Sequence, residues 1–352
     1  MTLSLSGLKS TPENIILSRT DSIGDTVLCL PMAKVLKDHF PAIKIGYLGK
    51  EYTRSVIEAC KYIDCFIELN NFLNNPVHIA GRPPQCIIHV LPKRPVAARA
   101  RQLGIPLRIG TTNRLYHWTT CNKLVKLGRK RSPLHEAQLN LKLLEPLGIT
   151  DLPSLEAIGQ SYGLQPAQTL PPPVADLIEP DKYNLILQTK SQGNGREWGL
   201  SNFVQLIRSL DQRMYRVFIS GTKEERQAIQ PLFDEAGSLV TDVTGRLTLE
   251  QLIAFIARCD GMVASGTGPV HLAAALGIDA LGLYPPLHPI HPGRWKPLGP
   301  KAHFFVVNRS CTDCKGMREP CHCMNEISWR EVKDELDKRA TAKSRLSGVA
   351  VQ

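Results

Sequence analysis

Two short stretches hold residue types able to act on an anionic ligand. One is Ser265-Gly266-Thr267-Gly268-Pro269, with His271 one turn further on. Two hydroxyls, free backbone N–H groups and the positive end of a helix dipole are the makings of a phosphate site. His271 adds a donor for a phosphate or sugar oxygen. An ordinary glycine turn in a strand–turn–helix unit would show the same spacing. The other stretch is Arg19-Thr20-Asp21-Ser22-Ile23-Gly24-Asp25-Thr26, where Gly24 permits a tight turn and Asp25 sits where a helix begins. Asp25 reads either as an N-cap, worth about 1 kcal/mol, or as a carboxylate held where α/β folds bind ligands. Arg19 and Asp21 flank it and are placed to tune its charge.

Three further groupings carry chemical potential. The loop Thr189–Trp198 is rich in hydroxyls and glycine and contains Arg196, as a diphosphate site requires. Between Lys93 and Arg131 lie eleven lysines and arginines and no acid, with Tyr116, His117 and Trp118 inside the run. That is either a solvated basic face or a surface for a phosphate-rich partner, with Arg99 and Arg101 on one helix and Arg108 and Arg114 beyond it. Cys311, Cys314, Cys321 and Cys323 form C-x₂-C-x₆-C-x-C, which suits a tetrahedral structural zinc or, equally, a reduced loop.

The elements that must position these groups alternate. Apolar runs at Ile15–Ser18, Lys44–Leu48, Cys65–Leu69, Cys86–Val90 and Leu107–Gly110 read as strands separated by helical or loop stretches. A helix is expected from Val27 to His39, another over Val96–Leu103, and one over Leu134–Leu147. A proline-rich linker is placed at 171–182, dividing an N-terminal domain (1–170) from a C-terminal one (183–327) with a cysteine-rich loop at 311–323. The second half repeats the pattern with strands Tyr183–Gln188, Arg216–Ser220, Met262–Ala264, Ala280–Tyr284 and His303–Val307. Ser201 is expected to cap a helix through Leu210, and helix Leu249–Arg258 precedes the glycine turn. Pro269 and Gly277 suit the start and end of the helix after that turn. Helix Trp329–Leu336 and a frayed tail from Thr341 complete the final segment, 328–352. The fold class is α/β: two Rossmann-like domains whose parallel sheets face each other across a ligand cleft.

Composition narrows the function classes. The chain of 352 residues is 43% hydrophobic and 21% charged, enough apolar material for two globular cores. No run of 18 apolar residues exists and no secretory leader is evident, so a cytoplasmic location is expected. A formal charge of +11 favours an anionic partner. Without GxGxxG after the first strand or GxxxxGK[ST] anywhere, dinucleotide dehydrogenases and P-loop NTPases are not indicated. No recognition-helix or stacking-aromatic pattern supports nucleic acid.

Taken together, Ser-Ile-Gly-Asp at 22–25 and Gly-Thr-Gly-Pro-Val-His-Leu-Ala-Ala-Ala-Leu-Gly at 266–277 resemble the heptosyltransferases of glycosyltransferase family 9. The resemblance extends from Ile15 to about Met324. It implies the GT-B architecture and inverting, metal-independent transfer of heptose from an ADP-sugar to a lipopolysaccharide core. By position, it implies that Asp25 is the catalytic base. Lys190, Ser191, Arg196, Glu224, Leu247, Gly266, Thr267, Gly268 and His271 would face the donor. Arg19, Ser22, Arg99 and Arg101 would face an anionic glycolipid acceptor, with the inner-membrane surface as a further peripheral partner. Gly266 replaces an aspartate that contacts the donor sugar in many members. A non-catalytic nucleotide-sugar or lipopolysaccharide binder of the same fold is the alternative.

Overall fold

The central strands form where β-branched and other apolar residues run together, and they are buried on both faces, as parallel strands covered by helices are. The computed structural model describes residues 11–129, 132–166, 170–191, 195–309, 311 and 321–346. The chain divides into two compact units, Met1–Gln165 and Pro166–Gln352.

In the first unit, β1 (Asn14–Ser18), β2 (Lys44–Gly49), β3 (Cys65–Glu68), β4 (Cys86–His89), β5 (Leu107–Thr111) and β6 (Lys123–Val125) make one parallel sheet. Its order is β3-β2-β1-β4-β5-β6. Ile16, Leu48, Ile67, Phe72, Ile87 and Val96 pack into one of its apolar clusters. In the second unit, β7 (Tyr183–Gln188), β8 (Tyr215–Ser220), β9 (Thr241–Asp242), β10 (Gly261–Ser265), β11 (Asp279–Leu283) and β12 (Ala302–Phe305) pair in parallel. The order there is β12-β11-β10-β7-β8-β9. Numbered from its own first strand, each sheet is 3-2-1-4-5-6. Each therefore reverses direction at one place, between β1 and β4 or between β7 and β10. Such switch points leave a crevice at the carboxyl ends of the strands, where ligands of open α/β sheets bind.

Several elements depart from the sequence expectation for identifiable reasons. The single helix expected from Val27 to His39 is two, Ile23–Val27 and Pro31–His39. Pro31 has no N–H to donate, and its ring crowds the carbonyl four residues earlier. Leu134–Leu147 likewise divides into an α-helix, Glu136–Leu141, and a 3₁₀ segment, Lys142–Leu147, that contains Pro146. Ser201 is not a cap: it lies inside helix Leu200–Ser209, whose N-cap is Gly199 at a φ of 87°. Within the proline-rich stretch, Pro172–Ala175 forms a short helix. Edge strands β6 and β9 had no apolar run to announce them.

The last helix was expected to stop at Leu336 and fray from Thr341. It instead runs Trp329–Leu346. Arg339 bonds Asp279 at 2.6 Å and Lys343 bonds Asp260 at 2.8 Å, tying its later turns to the ends of β10 and β11. Residues 347–352 lie outside the described residues.

Candidate active site

Asp25 rises from the carboxyl end of β1, the first unit's switch strand. Ser22, not Asp25, is the N-cap of helix Ile23–Val27: its hydroxyl accepts from the Asp25 N–H at 3.4 Å. The same hydroxyl donates to Asp25 Oδ2 at 2.6 Å. Asp25 is the third helical residue, so its carboxylate is not spent on capping. It remains 19% exposed.

Its other oxygen is paired with Arg19, which is 3% exposed and reaches four partners at once. Arg19 forks onto both oxygens of Asp21, at 3.0 and 3.1 Å, and donates from Nη1 to Glu136 (3.0 Å) and Asn140 (2.9 Å). Glu136 is itself 1% exposed, and the same oxygen, Oε1, also accepts from Arg129. Arg129 also bonds the Val90 carbonyl and Asn140 Oδ1, each at 3.1 Å. Burial opposes the charge on Arg19, but Asp25, Asp21 and Glu136 outweigh it and hold the guanidinium's pKa above its ordinary value. Burial also raises the Asp21 carboxyl above the usual carboxylate range, with Arg19 pulling the other way. Arg19 is therefore committed to holding Asp25 and Asp21 in place, rather than standing open to an incoming ligand. Ser22, likewise, is turned onto Asp25.

Arg99 and Arg101 are not brought to this carboxylate. Both lie in the last turn of helix Arg94–Gln102. Arg99 donates to the Phe72 carbonyl (3.3 Å) and Arg101 to the Thr119 carbonyl (2.9 Å).

In the second unit the glycine turn closes β10 as expected. Thr267 is the N-cap of helix Gly268–Ala275, with extended φ and ψ and no bond from its own side chain to the helix. Gly277 ends that segment at a φ of 80°. Among the described residues, four buried polar atoms at this switch point have no hydrogen-bond partner: Ser265 Oγ, Thr267 Oγ1, His271 Nδ1 and Thr189 Oγ1. Register pairs Ala264 with Gln188, so Ser265 and Thr189 are the next residues on adjacent strands. Buried polar groups are nearly always satisfied, so a group of such atoms at one place leaves donors and acceptors open to a polar ligand or ordered water. Burial lowers the His271 pKa to about 4, so the ring is neutral at pH 7 and carries a single N–H.

The loop after β7 folds onto the same turn. A Cβ built on Gly195 would lie 3.7 Å from the Gly266 carbonyl. Glu197 organises this loop, pairing with Lys190 and accepting from the Ser191 N–H at 3.0 Å. Trp198 anchors it: the ring is fully buried against Phe203, and its N–H donates to the Ile327 carbonyl at 2.9 Å. Arg196 is half-buried just before that anchor. Glu224 is exposed on the loop after β8, and its own backbone N–H and the Thr222 hydroxyl lower its pKa. Half-buried Leu247 follows Gly245, whose N–H bonds the Gly221 carbonyl at 2.9 Å, so the loops after β8 and β9 adjoin.

Comparison with known proteins decides the family. The model of glycosyltransferase family 9 (heptosyltransferase) matches residues 95–325. The chain belongs to glycosyltransferase family 9. A Haemophilus influenzae protein with a provisional glycosyltransferase name is 25% identical over 305 residues, 81% of this chain and 86% of that one. Among solved structures, the Escherichia coli ADP-heptose lipopolysaccharide heptosyltransferase II superposes with a TM-score of 0.73 at 17% identity, covering 94% of this chain and 99% of that one. Escherichia coli heptosyltransferase WaaC with ADP superposes with a TM-score of 0.68 at 16% identity, covering 93% and 99%. These likenesses place the fold with the GT-B heptosyltransferases, and the chain is a glycosyltransferase.

The family resemblance leads one to expect an aspartate where this chain has Gly266, and the surroundings of Gly266 leave a side chain little room. A Cβ at this position would lie 2.5 Å from the Tyr284 ring, which is buried and fixed by a 2.7 Å bond from its hydroxyl to the Trp295 carbonyl. The aromatic ring occupies the room a side chain would need.

Sequence reasoning missed Glu136, Arg129, Asn140, Glu197 and Thr189. The first three sit more than a hundred residues from Asp25, and nothing in local spacing links them to it. Cys321 and Cys323 are buried in the second unit's core beside Trp198 and Met324, while Cys311 is half-buried. Arg309 donates to Cys323 Sγ at 3.3 Å. Cys314 lies outside the described residues. Among the described residues, no three histidine, cysteine, aspartate or glutamate side chains are grouped to hold a metal ion.

Proposed function

We propose that this chain is an inverting, metal-independent glycosyltransferase that moves heptose from ADP-heptose onto a lipopolysaccharide core or a related anionic glycolipid. The observation that carries the donor half is the set of four orphaned polar atoms where β7 and β10 end beside a helix N-terminus. A diphosphate supplies acceptor oxygens to all of them, and Arg196 on the adjoining loop supplies charge. Family membership and the nucleotide named for WaaC favour ADP as that diphosphate.

In the transfer step, Asp25 takes the proton from an acceptor hydroxyl while that oxygen forms its bond to the anomeric carbon. The bond from that carbon to the diphosphate oxygen breaks, and the nucleoside diphosphate departs with the electron pair. A positioned general base contributes typically 10²–10⁴-fold. Ser265, Thr267, the neutral His271 and the helix N–H groups stabilise charge on the departing phosphate, and the proposal assigns no metal to that role. Arg19 and Ser22 are assigned to orienting Asp25 rather than to touching the acceptor.

Gly266 with Tyr284 favours a second reading, in which the nucleotide is retained but the transferred sugar is not heptose. A direct test is transfer from ADP-heptose to heptose-deficient lipopolysaccharide in the presence of a chelator, comparing wild type with Asp25→Asn. Turnover by wild type and a 10²–10⁴-fold loss in the variant are expected. Equal rates would remove Asp25 as the base. An inert wild type that turns over another ADP-sugar would replace the heptose alone.

A further inference from the structure

One edge of the first unit combines charge and exposed apolar surface that the transfer step does not use. Three strands end there in sequence, β4, β5 and β6. Lys93 and Arg94 follow β4, Arg114 follows β5 and Lys126 follows β6, and all four side chains are exposed. No acidic residue occurs between positions 93 and 131 to neutralise them. Leu115, 88% exposed, and Trp118, 61% exposed, lie on the segment that follows β5. Only one other large hydrophobic side chain among the described residues, Tyr52, is comparably exposed.

Trp118 already donates its indole N–H to the Thr112 carbonyl at 3.2 Å, so what it offers outward is apolar ring. The turn itself is firm. Arg101 bonds the Thr119 carbonyl at 2.9 Å, Arg108 bonds the Thr120 carbonyl at 2.8 Å, and the His117 ring, fully buried, accepts from the Thr111 N–H at 2.9 Å. A firmly held turn that exposes leucine and tryptophan on a sheet edge that also carries exposed cations matches the chemistry of an anionic bilayer. Tryptophan settles at the headgroup level, leucine enters the acyl boundary, and lysine and arginine meet lipid phosphates.

We infer that Leu115 and Trp118, with Lys93, Arg94, Arg114 and Lys126 at the same sheet edge, form a tip that docks this protein on an anionic phospholipid surface. The inference rests on the glycolipid-acceptor reading for its purpose. Asp25 leaves the same carboxyl edge of the same sheet, two strand positions from β5, or about 10 Å. Docking there brings the reactive carboxylate close to the plane in which a lipid-anchored acceptor is held.

Co-sedimentation with vesicles tests it, using phosphatidylcholine alone or with phosphatidylglycerol, and no glycolipid. Wild type is expected to bind the anionic vesicles at least 10-fold more tightly than the neutral ones, and to release in high salt. Leu115→Asp should weaken that binding by 10-fold or more with unchanged thermal midpoint and nucleotide affinity. Charge reversal at Lys93, Arg94, Arg114 and Lys126 should abolish the preference for anionic lipid. Brominated acyl chains should quench wild-type tryptophan emission and leave Trp118→Phe largely unquenched. Wild type that stays in the supernatant, or variants that sediment equally, would overturn the inference. So would ultracentrifugation showing that Leu115→Asp splits a dimer, since the tip would then be covered by a second copy. Vesicle binding without sugar transfer would leave the tip standing and overturn the transferase reading alone.

Discussion

Asp25 owes its orientation to residues far away in sequence. Arg19 contacts it directly, and Glu136, Asn140 and Arg129 fix Arg19. With Glu136 neutralised, two arginines would share a buried space with too little negative charge, and breaking such a pair typically costs about 3–5 kcal/mol. Glu136→Gln is therefore expected to lower kcat 10-fold or more, leave KM for the donor unchanged, and lower the thermal midpoint. Because Glu136 acts through Asp25, the same change should cost no further rate in an Asp25→Asn background. Additive losses in that cycle, measured by initial rates, would make Glu136 merely a structural residue. The Ser-Ile-Gly-Asp pattern made Asp25 legible in the sequence, yet spacing alone suggested an N-cap. The third-position placement became visible only when Ser22 took the cap. Gly266 was legible as a departure from the family, whereas its reason, the Tyr284 ring, lies beyond the intervening helix and could not be read locally.

Strands and helices were legible wherever apolar residues run together or repeat, which is why ten of the twelve strands are evident from such runs. Short edge strands and proline-broken helices were not, because tertiary pairing rather than local preference decides them. Two elements also carry histidines whose burial has a consequence for stability. His89 closes β4 with neither ring nitrogen partnered, and burial, with a smaller contribution from neighbouring His117, lowers its pKa to about 3. His271 is lowered to about 4 in the helix after β10. Both values fall below the unfolded 6.5, so the unfolded chain binds the extra protons as pH drops. Stability is then full above pH 6.5 and declines toward the folded values, by about 1.4 kcal/mol per pH unit for each ring. Urea midpoints should fall between pH 7.5 and 5.0, with His89→Leu flattening the decline in the first unit. A midpoint that is flat over this range, or a decline unaltered by the substitution, would contradict this.

At the scale of the molecule, the chain uses one sheet topology twice and equips the two switch points differently. The first holds a carboxylate locked by arginine, and the second holds unpartnered hydroxyls and a neutral histidine. Two α/β halves were legible because strand and helix patterns restart after the proline-rich stretch. The matched 3-2-1-4-5-6 orders were not, since connectivity alone does not say which strands pair. No helix among the described residues is long and apolar enough to cross a membrane. The central claim, that the second switch point is a nucleotide-diphosphate site, is tested most directly by calorimetric titration with ADP, UDP, GDP and dTDP, with Arg196→Ala in parallel. Selective ADP binding, weakened at least 10-fold in the variant, is the expected result. Selective binding of another nucleotide would discard ADP-heptose and keep the transferase, whereas no binding of any would contradict the donor site itself.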